Sequence, residues 1–215
     1  MNIAKYIDHT FLKSAGERDA VRCLCREAKM HGFASVCVNP AEVRLAKSLL
    51  GKSGVKVCTV IGFPLGQTTT LAKVCEATEA IANGADELDF VVNVRLLKYA
   101  PKECLEELKR LVEPCRARKR VVSKLILECC ELTDAEKRRG CALAKKAGFD
   151  FVKTSTGFGS GGATEHDVRL MRKAVGKSMG VKAAGGIRTR EAALSMIKAG
   201  ASRIGSSAGE RLLAE

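Results

Sequence analysis

Three lysines lie in short apolar runs of the chain, where a charged side chain is unusual. Lys124 lies in SKLIL, Lys153 in DFVKTSTG and Lys182 in VKAAGG. Burying an ammonium ion is costly, so each lysine is either paired with a carboxylate or serves as an amine that attacks a carbonyl group. Three buried ammonium groups that share one site would repel one another, and this repulsion favours the neutral amine that a nucleophile needs.

One carboxylate, Asp89, lies within the apolar run LDFVV. A buried aspartate needs a partner, and a lysine on a neighbouring strand would supply one. Two roles stay open for Asp89: a counter-ion alone, or a counter-ion that also moves protons with a bound water.

The elements that must position these side chains alternate between strand-like and helix-like patterns. Eight strands are predicted, at 5–8, 35–38, 56–61, 87–92, 122–127, 149–154, 181–184 and 202–205. Amphipathic segments lie at 14–31, 40–50, 68–83, 101–118, 133–147, 164–176 and 189–199, with a short one at 207–213. Helix starts are indicated by Ser14 with Glu17, Thr133 with Glu136 and Thr164 with Asp167.

Strand and helix repeats at this spacing favour a parallel sheet. An open doubly wound sheet usually binds its ligand at one early glycine-rich turn. Here polar or glycine-rich turns follow many of the strands, as a barrel requires, because its site is built from the loops at the carboxyl ends of the strands. The sequence therefore predicts an α/β protein, an eight-stranded parallel TIM barrel, in one domain over 1–215.

Two late turns are typical of a phosphate site in such a barrel. Gly185 and Gly186 follow the seventh predicted strand, and Gly205 precedes Ser207 after the eighth. Glycine lets backbone N–H groups approach an anion, and the turns after strands seven and eight are the usual phosphate site. Plain turn chemistry is the alternative.

The cysteines and histidines give no metal-site pattern. The ten cysteines form no CxxC pair and the chain has three histidines, so few ligand sets for zinc exist, and we predict no metal and no cofactor. Cys37, Cys58, Cys129 and Cys130 lie in or at the end of strand-like runs, which is typical of buried free thiols in a reducing compartment.

Composition excludes several classes of protein. Apolar residues make up 46% and charged residues 28%, which is ordinary globular usage. No apolar run is long enough to span a membrane, and the first 14 residues lack the core of a secretion signal. We therefore expect a cytoplasmic protein that does not enter a membrane.

The chain is basic, with a formal net charge of +13. Such a charge fits anionic substrates or nucleic acid, and the densest basic run is 116–120. Binding of single-stranded nucleic acid normally adds stacking aromatic residues, and aromatic residues make up only 4% of the chain. A dedicated nucleic-acid function is therefore not expected.

Five segments together resemble the deoxyribose-phosphate aldolase family. They are IDHT at 7–10, SVCVNP at 35–40, DELDFVV at 86–92, KTSTGF at 153–158 and VKAAGGIRT at 181–189. The resemblance extends from about residue 3 to about residue 211, and the segments with Lys153 and Lys182 are highly specific together. It implies a class I aldolase that cleaves 2-deoxyribose 5-phosphate to acetaldehyde and glyceraldehyde 3-phosphate, with no metal or cofactor.

The resemblance also implies roles for individual residues. Lys153 would form the Schiff base, Lys182 would favour its neutral amine, and Asp89 would help to move protons. The phosphate would be held by Thr156, Gly157, Gly185, Gly186, Gly205 and Ser207. The pocket would be lined by Asp8, Thr10, Cys37 and Lys124.

The C-terminal segment departs from part of the family. Some members carry a tail that ends in tyrosine and reaches the active site, whereas this sequence ends in LLAE at 212–215. Water with Asp89 and Lys182 would then have to transfer the proton. The family often forms homodimers, and a homodimer is possible here.

Two other hypotheses stay open. One is another phosphate-binding barrel enzyme, such as an isomerase that uses Asp89 as a base without a covalent intermediate. The other is a basic binding protein without catalysis.

Overall fold

The computed structural model describes residues 2–117 and 121–213, and its eight strands close into one barrel in chain order. The strands are β1 (Ile7–Phe11), β2 (Ser35–Val38), β3 (Lys56–Ile61), β4 (Glu87–Val91), β5 (Val122–Ile126), β6 (Phe151–Lys153), β7 (Gly180–Ala184) and β8 (Arg203–Ser206). Every pair is parallel, and β8 returns to β1, where Asp8 is paired with Gly205. The predicted TIM barrel is confirmed, because an open sheet would leave β1 and β8 as edges.

Helices cover the outside of the barrel between the strands. They are α1 (Ala20–His31), α2 (Val43–Leu50), α3 (Thr70–Ala82), α4 (Val94–Tyr99), α5 (Pro101–Arg116), α6 (Asp134–Ala147), α7 (Glu165–Val175) and α8 (Arg190–Ala199). One-turn 3-10 helices lie at Ala4–Tyr6, Pro40–Glu42, Cys129–Glu131 and Glu210–Leu212. No described helix is long and apolar enough to cross a bilayer.

The strands separate an apolar layer from a charged interior, because alternate side chains point to opposite faces. In β4, Leu88 and Phe90 belong to the apolar layer under the helices. Glu87 and Asp89, at the alternate positions, form ion pairs with Lys124 on β5 inside the barrel. The interior therefore holds polar groups where many barrels hold branched aliphatic residues.

Two of the three predicted helix starts are confirmed. Thr133 and Glu136 form a reciprocal capping box before α6, and the Thr164 hydroxyl accepts a hydrogen bond from the Asp167 N–H before α7. The start at Ser14 is wrong, since α1 begins at Ala20. Gly16 lies against the Phe11 ring, where a Cβ would be 2.3 Å from the ring, and this packing holds the segment outside the helix.

Several other boundaries differ from the prediction. The predicted strand at 5–8 lies instead at Ile7–Phe11, which places Asp8 inside the strand. The segment predicted as a helix at 207–213 is a single 3-10 turn, Glu210–Leu212. Helix α4 was not predicted; the Asn93 side chain caps it by accepting the Leu96 N–H. Of the basic run 116–120, residues 118–120 lie outside the described part of the chain.

A buried ion pair joins two of the outer helices. Lys73 on α3 lies 3.1 Å from Glu107 on α5, and the two side chains are 0% and 4% exposed. Lys73 also donates to the Val91 carbonyl, and Thr70 donates to Glu107. Each charge is therefore compensated only while both partners remain.

We expect Lys73→Met to lower the free energy of unfolding by about 3–5 kcal/mol, since it leaves the Glu107 carboxylate buried without its cation. The double variant Lys73→Met/Glu107→Leu should recover most of that loss. Urea unfolding measures both. Lys109→Met is the matched control because it breaks an exposed pair with Glu106, which is worth about 0–1 kcal/mol. Equal losses at the two sites would contradict this account.

Candidate active site

Asp89 lies at the centre of the charged interior and contacts all three predicted lysines. Its Oδ2 lies 2.9 Å from Lys153 Nζ and 2.8 Å from Lys182 Nζ. Its Oδ1 lies 2.8 Å from Lys124 Nζ and accepts a hydrogen bond from Cys58 Sγ at 3.3 Å. The carboxylate is fully buried. Protein donors occupy both of its oxygens.

A second ring of charges lies around this centre. Asp8 contacts Lys182 Nζ through Oδ2 at 2.6 Å and Arg203 Nη1 through Oδ1 at 2.6 Å. Glu87 contacts Lys124 Nζ at 2.6 Å and Arg203 Nη1 at 3.1 Å. Arg203 and Glu87 were not singled out from the sequence, although Glu87 lies two residues from Asp89 and alternation places both inside.

These contacts set the protonation of the buried groups. Burial alone would raise the pKa of Asp89, but Lys124, Lys153 and Lys182 hold that pKa well below its usual range. Burial would lower the pKa values of the lysines, yet Asp89 with Glu87 raises the pKa of Lys124, and Asp8 with Asp89 raises that of Lys182. At neutral pH, Lys124 and Lys182 are therefore cations and Asp89 is an anion.

The charge of the seven groups follows from these contacts. Three carboxylates, Asp8, Glu87 and Asp89, face four basic groups, Lys124, Lys153, Lys182 and Arg203. The set is electrically neutral only when one basic group carries no proton. Lys153 is the basic group of this set that reaches the cavity described below.

Two thiols complete the interior beside Asp89. Cys37 on β2 is paired in register with Cys58 on β3. The Cys58 thiol contacts both Asp89 Oδ1 and Lys124 Nζ. Cys37, Cys58 and Asp89 offer ligand atoms within 4.8 Å of one another. All ten cysteines are free; seven are buried, whereas Cys75 and Cys130 are exposed, so the burial expected for Cys130 is wrong.

A cavity of about 290 Å³ opens at the carboxyl ends of the strands, with Lys153 in its wall. The other predicted residues in its wall are Thr10, Thr156, Gly157, Gly185, Gly186, Gly205 and Ser207. Asp8, Cys37, Asp89, Lys124 and Lys182 are not in the wall; they lie fully buried within the barrel. The pocket lining implied for Asp8, Cys37 and Lys124 stays a prediction.

The cavity wall carries cations and no carboxylate. Besides Lys153 it contains Lys13 after β1 and Arg188 after β7, and none of its lining residues is acidic. Neither Lys13 nor Arg188 was singled out from the sequence. The sequence feature that could have identified them is their position in a turn that follows a strand. Other cavities lie among the outer helices, one of them walled by Arg138, His166, Arg169 and Lys173. That cavity lies far from the strand ends and holds no buried amine.

Close backbone packing shapes the two turns beside Lys153. Gly162 and Gly185 touch, since a Cβ on Gly162 would lie 2.3 Å from the Gly185 carbonyl oxygen. Gly185 has a φ of +92° and Gly157 a φ of +87°, a region that favours glycine. The Ala163 N–H donates to the Gly185 carbonyl. These contacts hold the turns after β6 and β7 together at the cavity.

Comparison with known proteins assigns the family. The profile described as DeoC/LacD family aldolase matches residues 2–211, so the chain belongs to this aldolase family. A deoxyribose-phosphate aldolase of Thermoanaerobacter sp. strain X514 is 54% identical and covers 100% of this chain and 97% of the relative. One of Thermococcus gammatolerans is 55% identical, covering 99% and 96%.

Solved structures agree with this assignment. The tetrameric deoxyribose phosphate aldolase of Aeropyrum pernix superposes with a TM-score of 0.92 at 35% identity, covering 98% of this chain and 89% of that one. An aldolase called QR15 gives a TM-score of 0.92 at 42% identity, covering 98% and 93%.

We expect Asp89→Asn to destabilise the fold by about 3–5 kcal/mol at pH 7, because the lysines lose the anion between them. The Asp89 pKa is lowered in the folded state, so its contribution is full above pH about 5 and is lost as the pH falls from there. The difference between wild type and variant should therefore be constant from pH 8 to about 5 and shrink below. Urea unfolding at each pH measures it.

Asp134→Asn is the control, since Asp134 is a partly exposed carboxylate paired with His166 at the surface. The loss in Asp134→Asn should be much smaller than that in Asp89→Asn at every pH, since water screens an exposed pair. A difference for Asp89→Asn that stays constant as the pH falls well below 5, or that grows as the pH falls from 7, would show that the carboxylate pKa is not lowered.

Proposed function

We propose that this chain is a class I deoxyribose-phosphate aldolase, which cleaves 2-deoxyribose 5-phosphate to acetaldehyde and glyceraldehyde 3-phosphate. The observation that carries the proposal is the Lys153 amine, which borders a cavity whose wall carries cations and which contacts the buried Asp89 carboxylate behind it. The names and identities of the relatives support the same substrate.

The Lys153 amine is the proposed nucleophile. The unprotonated form of this amine is the species that reacts with a carbonyl group. The free amine attacks the C1 aldehyde, and loss of water gives an iminium ion. Asp89 Oδ2, already placed 2.9 Å from Nζ, stabilises the positive charge that appears on this nitrogen.

The iminium ion then accepts the electrons of the C2–C3 bond. The C3 hydroxyl loses its proton, the bond breaks, and glyceraldehyde 3-phosphate leaves an enamine on Lys153. Protonation at C2 and addition of water release acetaldehyde and restore the amine. Each step makes or breaks bonds by moving electron pairs and protons without an external oxidant or reductant, and the nitrogen serves as the electron sink.

Of the two roles left open for Asp89, we propose the counter-ion. Both oxygens already accept from lysines or a thiol, and its lowered pKa makes it a weak base. Water in the cavity would carry the protons. Lys182, fixed beside Asp89, would be the cation that orients the Asp89 carboxylate.

The phosphate is proposed to bind at the turns after β6, β7 and β8. Gly157, Gly185, Gly186, Gly205 and Ser207 supply backbone or hydroxyl groups to the wall. Lys13 and Arg188 add positive charge on two sides of it. The 3-10 turn after β8 begins only at Glu210. The Ser207 hydroxyl and the charges of the two cations, and not a helix terminus, would therefore stabilise the phosphate there.

The remaining hypotheses are less well supported. An isomerase would need Asp89 as an exposed base, whereas it is fully buried and held by three lysines. A basic binding protein would have no use for a buried amine beside a cavity. We further propose one domain, a reducing cytoplasm for its ten free thiols, and a role in deoxyribonucleotide degradation. A homodimer stays a prediction; the Aeropyrum pernix relative is described as tetrameric.

Acetaldehyde with borohydride should label Lys153 and nothing else. Hydride reduces the iminium ion to a stable secondary amine, so the protein gains the mass of one ethyl group, located by peptide mass spectrometry. Lys153→Met should lose both the label and turnover. It should keep its fold, since three basic groups and three carboxylates remain inside the barrel.

Lys56→Met serves as the control, because Lys56 is an exposed lysine at the start of β3, and it should keep label and activity. Excess EDTA should change neither. A label on Lys124 or Lys182 would overturn the role of Lys153. Loss of activity in EDTA that zinc restores would favour a metal-dependent aldolase.

Ser207→Asp should selectively weaken the reaction of the phosphorylated substrate. Two like charges about 4 Å apart at an effective dielectric of about 20 repel by about 4 kcal/mol, and a third of that is about a tenfold loss of affinity. Unphosphorylated deoxyribose should not suffer this loss. The measurement is the ratio of kcat/KM for the two substrates.

Ser207→Asn is the matched control, because asparagine has the size of aspartate and no charge. It should leave the ratio of the two kcat/KM values within about twofold of wild type. A ratio that stays constant in Ser207→Asp would show that the phosphate binds elsewhere.

A further inference from the structure

A glutamate outside the charged interior holds the turn that follows β6. Glu128 lies just after β5, and its side chain is buried, with 8% of the residue exposed. Its two carboxylate oxygens accept the Thr156 N–H at 3.3 Å each, and Oε2 also accepts the Thr156 hydroxyl. Thr156 is the third residue after Lys153, so this contact joins the ends of two neighbouring strands.

The backbone of Glu128 shows that this position is held by its surroundings. Its φ of +56° and ψ of +68° lie in the left-handed region, and it is the one non-glycine residue with positive φ in the described part of the chain. A residue with a Cβ adopts this conformation at a cost, which the surrounding contacts must offset.

The contact with Glu128 determines which hydrogen bonds Thr156 can still make. Both of its hydrogen-bond donors are engaged by Glu128, while its hydroxyl oxygen accepts the Phe158 N–H at 3.0 Å. Thr156 therefore has no free donor for a phosphate oxygen. It instead fixes the path of the backbone through Gly157 to Phe158, both of which line the cavity.

The carboxylate does not itself face the cavity. Glu128 is absent from the lining residues, and its oxygens point to Thr156 and to Cys130 Sγ, 3.7 Å away. Gly159 passes over it, where a Cβ would lie 3.3 Å from the Glu128 carboxyl carbon. A negative charge beside an anion site is tolerable here because the two Thr156 donors compensate it.

We propose that Glu128 is a positioning residue for the phosphorylated end of the substrate. Acting through Thr156, it holds the turn at 156–158 in the shape that accepts the phosphate, without touching the substrate. The inference rests on the proposed aldolase function and deepens it.

Four variants test the inference. Glu128→Gly removes the carboxylate and keeps the positive φ at no cost, whereas Glu128→Gln keeps a carbonyl acceptor for Thr156. Thr156→Val removes the hydroxyl, and the double variant Glu128→Gly/Thr156→Val completes the cycle. Glu131→Gln is the matched control, an exposed glutamate three residues along the same loop.

In Glu128→Gly we expect KM for deoxyribose 5-phosphate to rise about tenfold, as for loss of charged hydrogen bonds to one partner. Values of kcat/KM for plain deoxyribose should change less than about twofold. Glu128→Gln should recover most of the loss, and the double variant should be no worse than Glu128→Gly alone. Glu131→Gln should match wild type.

Equal losses for the two substrates, or additive losses in the double variant, would overturn the inference, and so would an unchanged KM. Urea unfolding of each variant detects a folding defect, and Glu128→Gln is expected to unfold at the same urea concentration as wild type. Labelling of wild-type Lys153 by acetaldehyde and borohydride tests the aldolase function separately. Wild type that fails to label refutes the function, whereas labelled wild type with unchanged variants refutes only the role of Glu128.

Discussion

The interior of this barrel depends on one constraint: charges that leave water must be compensated within the protein. Three carboxylates and three of the four basic groups compensate one another through contacts between 2.6 and 3.1 Å. The fourth basic group, Lys153, contacts the central carboxylate from the cavity side. An interior of branched aliphatic residues would be easier to assemble, but it would offer the Lys153 amine no carboxylate to contact.

The outer parts of the fold place this set and do not share its chemistry. Leu88 and Phe90 secure β4 against the helices, and that packing fixes where Asp89 points on the other face. The glycine contacts between the turns after β6 and β7 determine the shape of the cavity above Lys153. Under the proposed function, chemistry at the nitrogen and recognition of the phosphate depend on separate residues, so variants should affect one or the other.

Sequence patterns predicted the barrel, its eight strands and the residues of the central contact. They succeeded because alternation in β4 and lysines within apolar runs are local signals. They did not find Arg203 or Glu128, because each acquires its role from a partner distant in sequence: Arg203 from Asp8, 195 positions away, and Glu128 from Thr156, 28 positions away. The start of α1 was wrong for a different reason: the packing of Gly16 on the nearby Phe11 ring overrides a capping pattern.

Burial of Asp89 also constrains the chemistry that the site can perform. A carboxylate whose four contacts are all donors, three of them lysines, gains more from staying ionised than from accepting a proton. The group that must change its proton during aldol cleavage is therefore the one with access to water, and Lys153 borders the cavity whereas Lys182 and Lys124 do not. We therefore propose that the three lysines differ in function because of their position: Lys124 and Lys182 are cations of the interior, and Lys153, which borders the cavity, forms the bond to the substrate carbon.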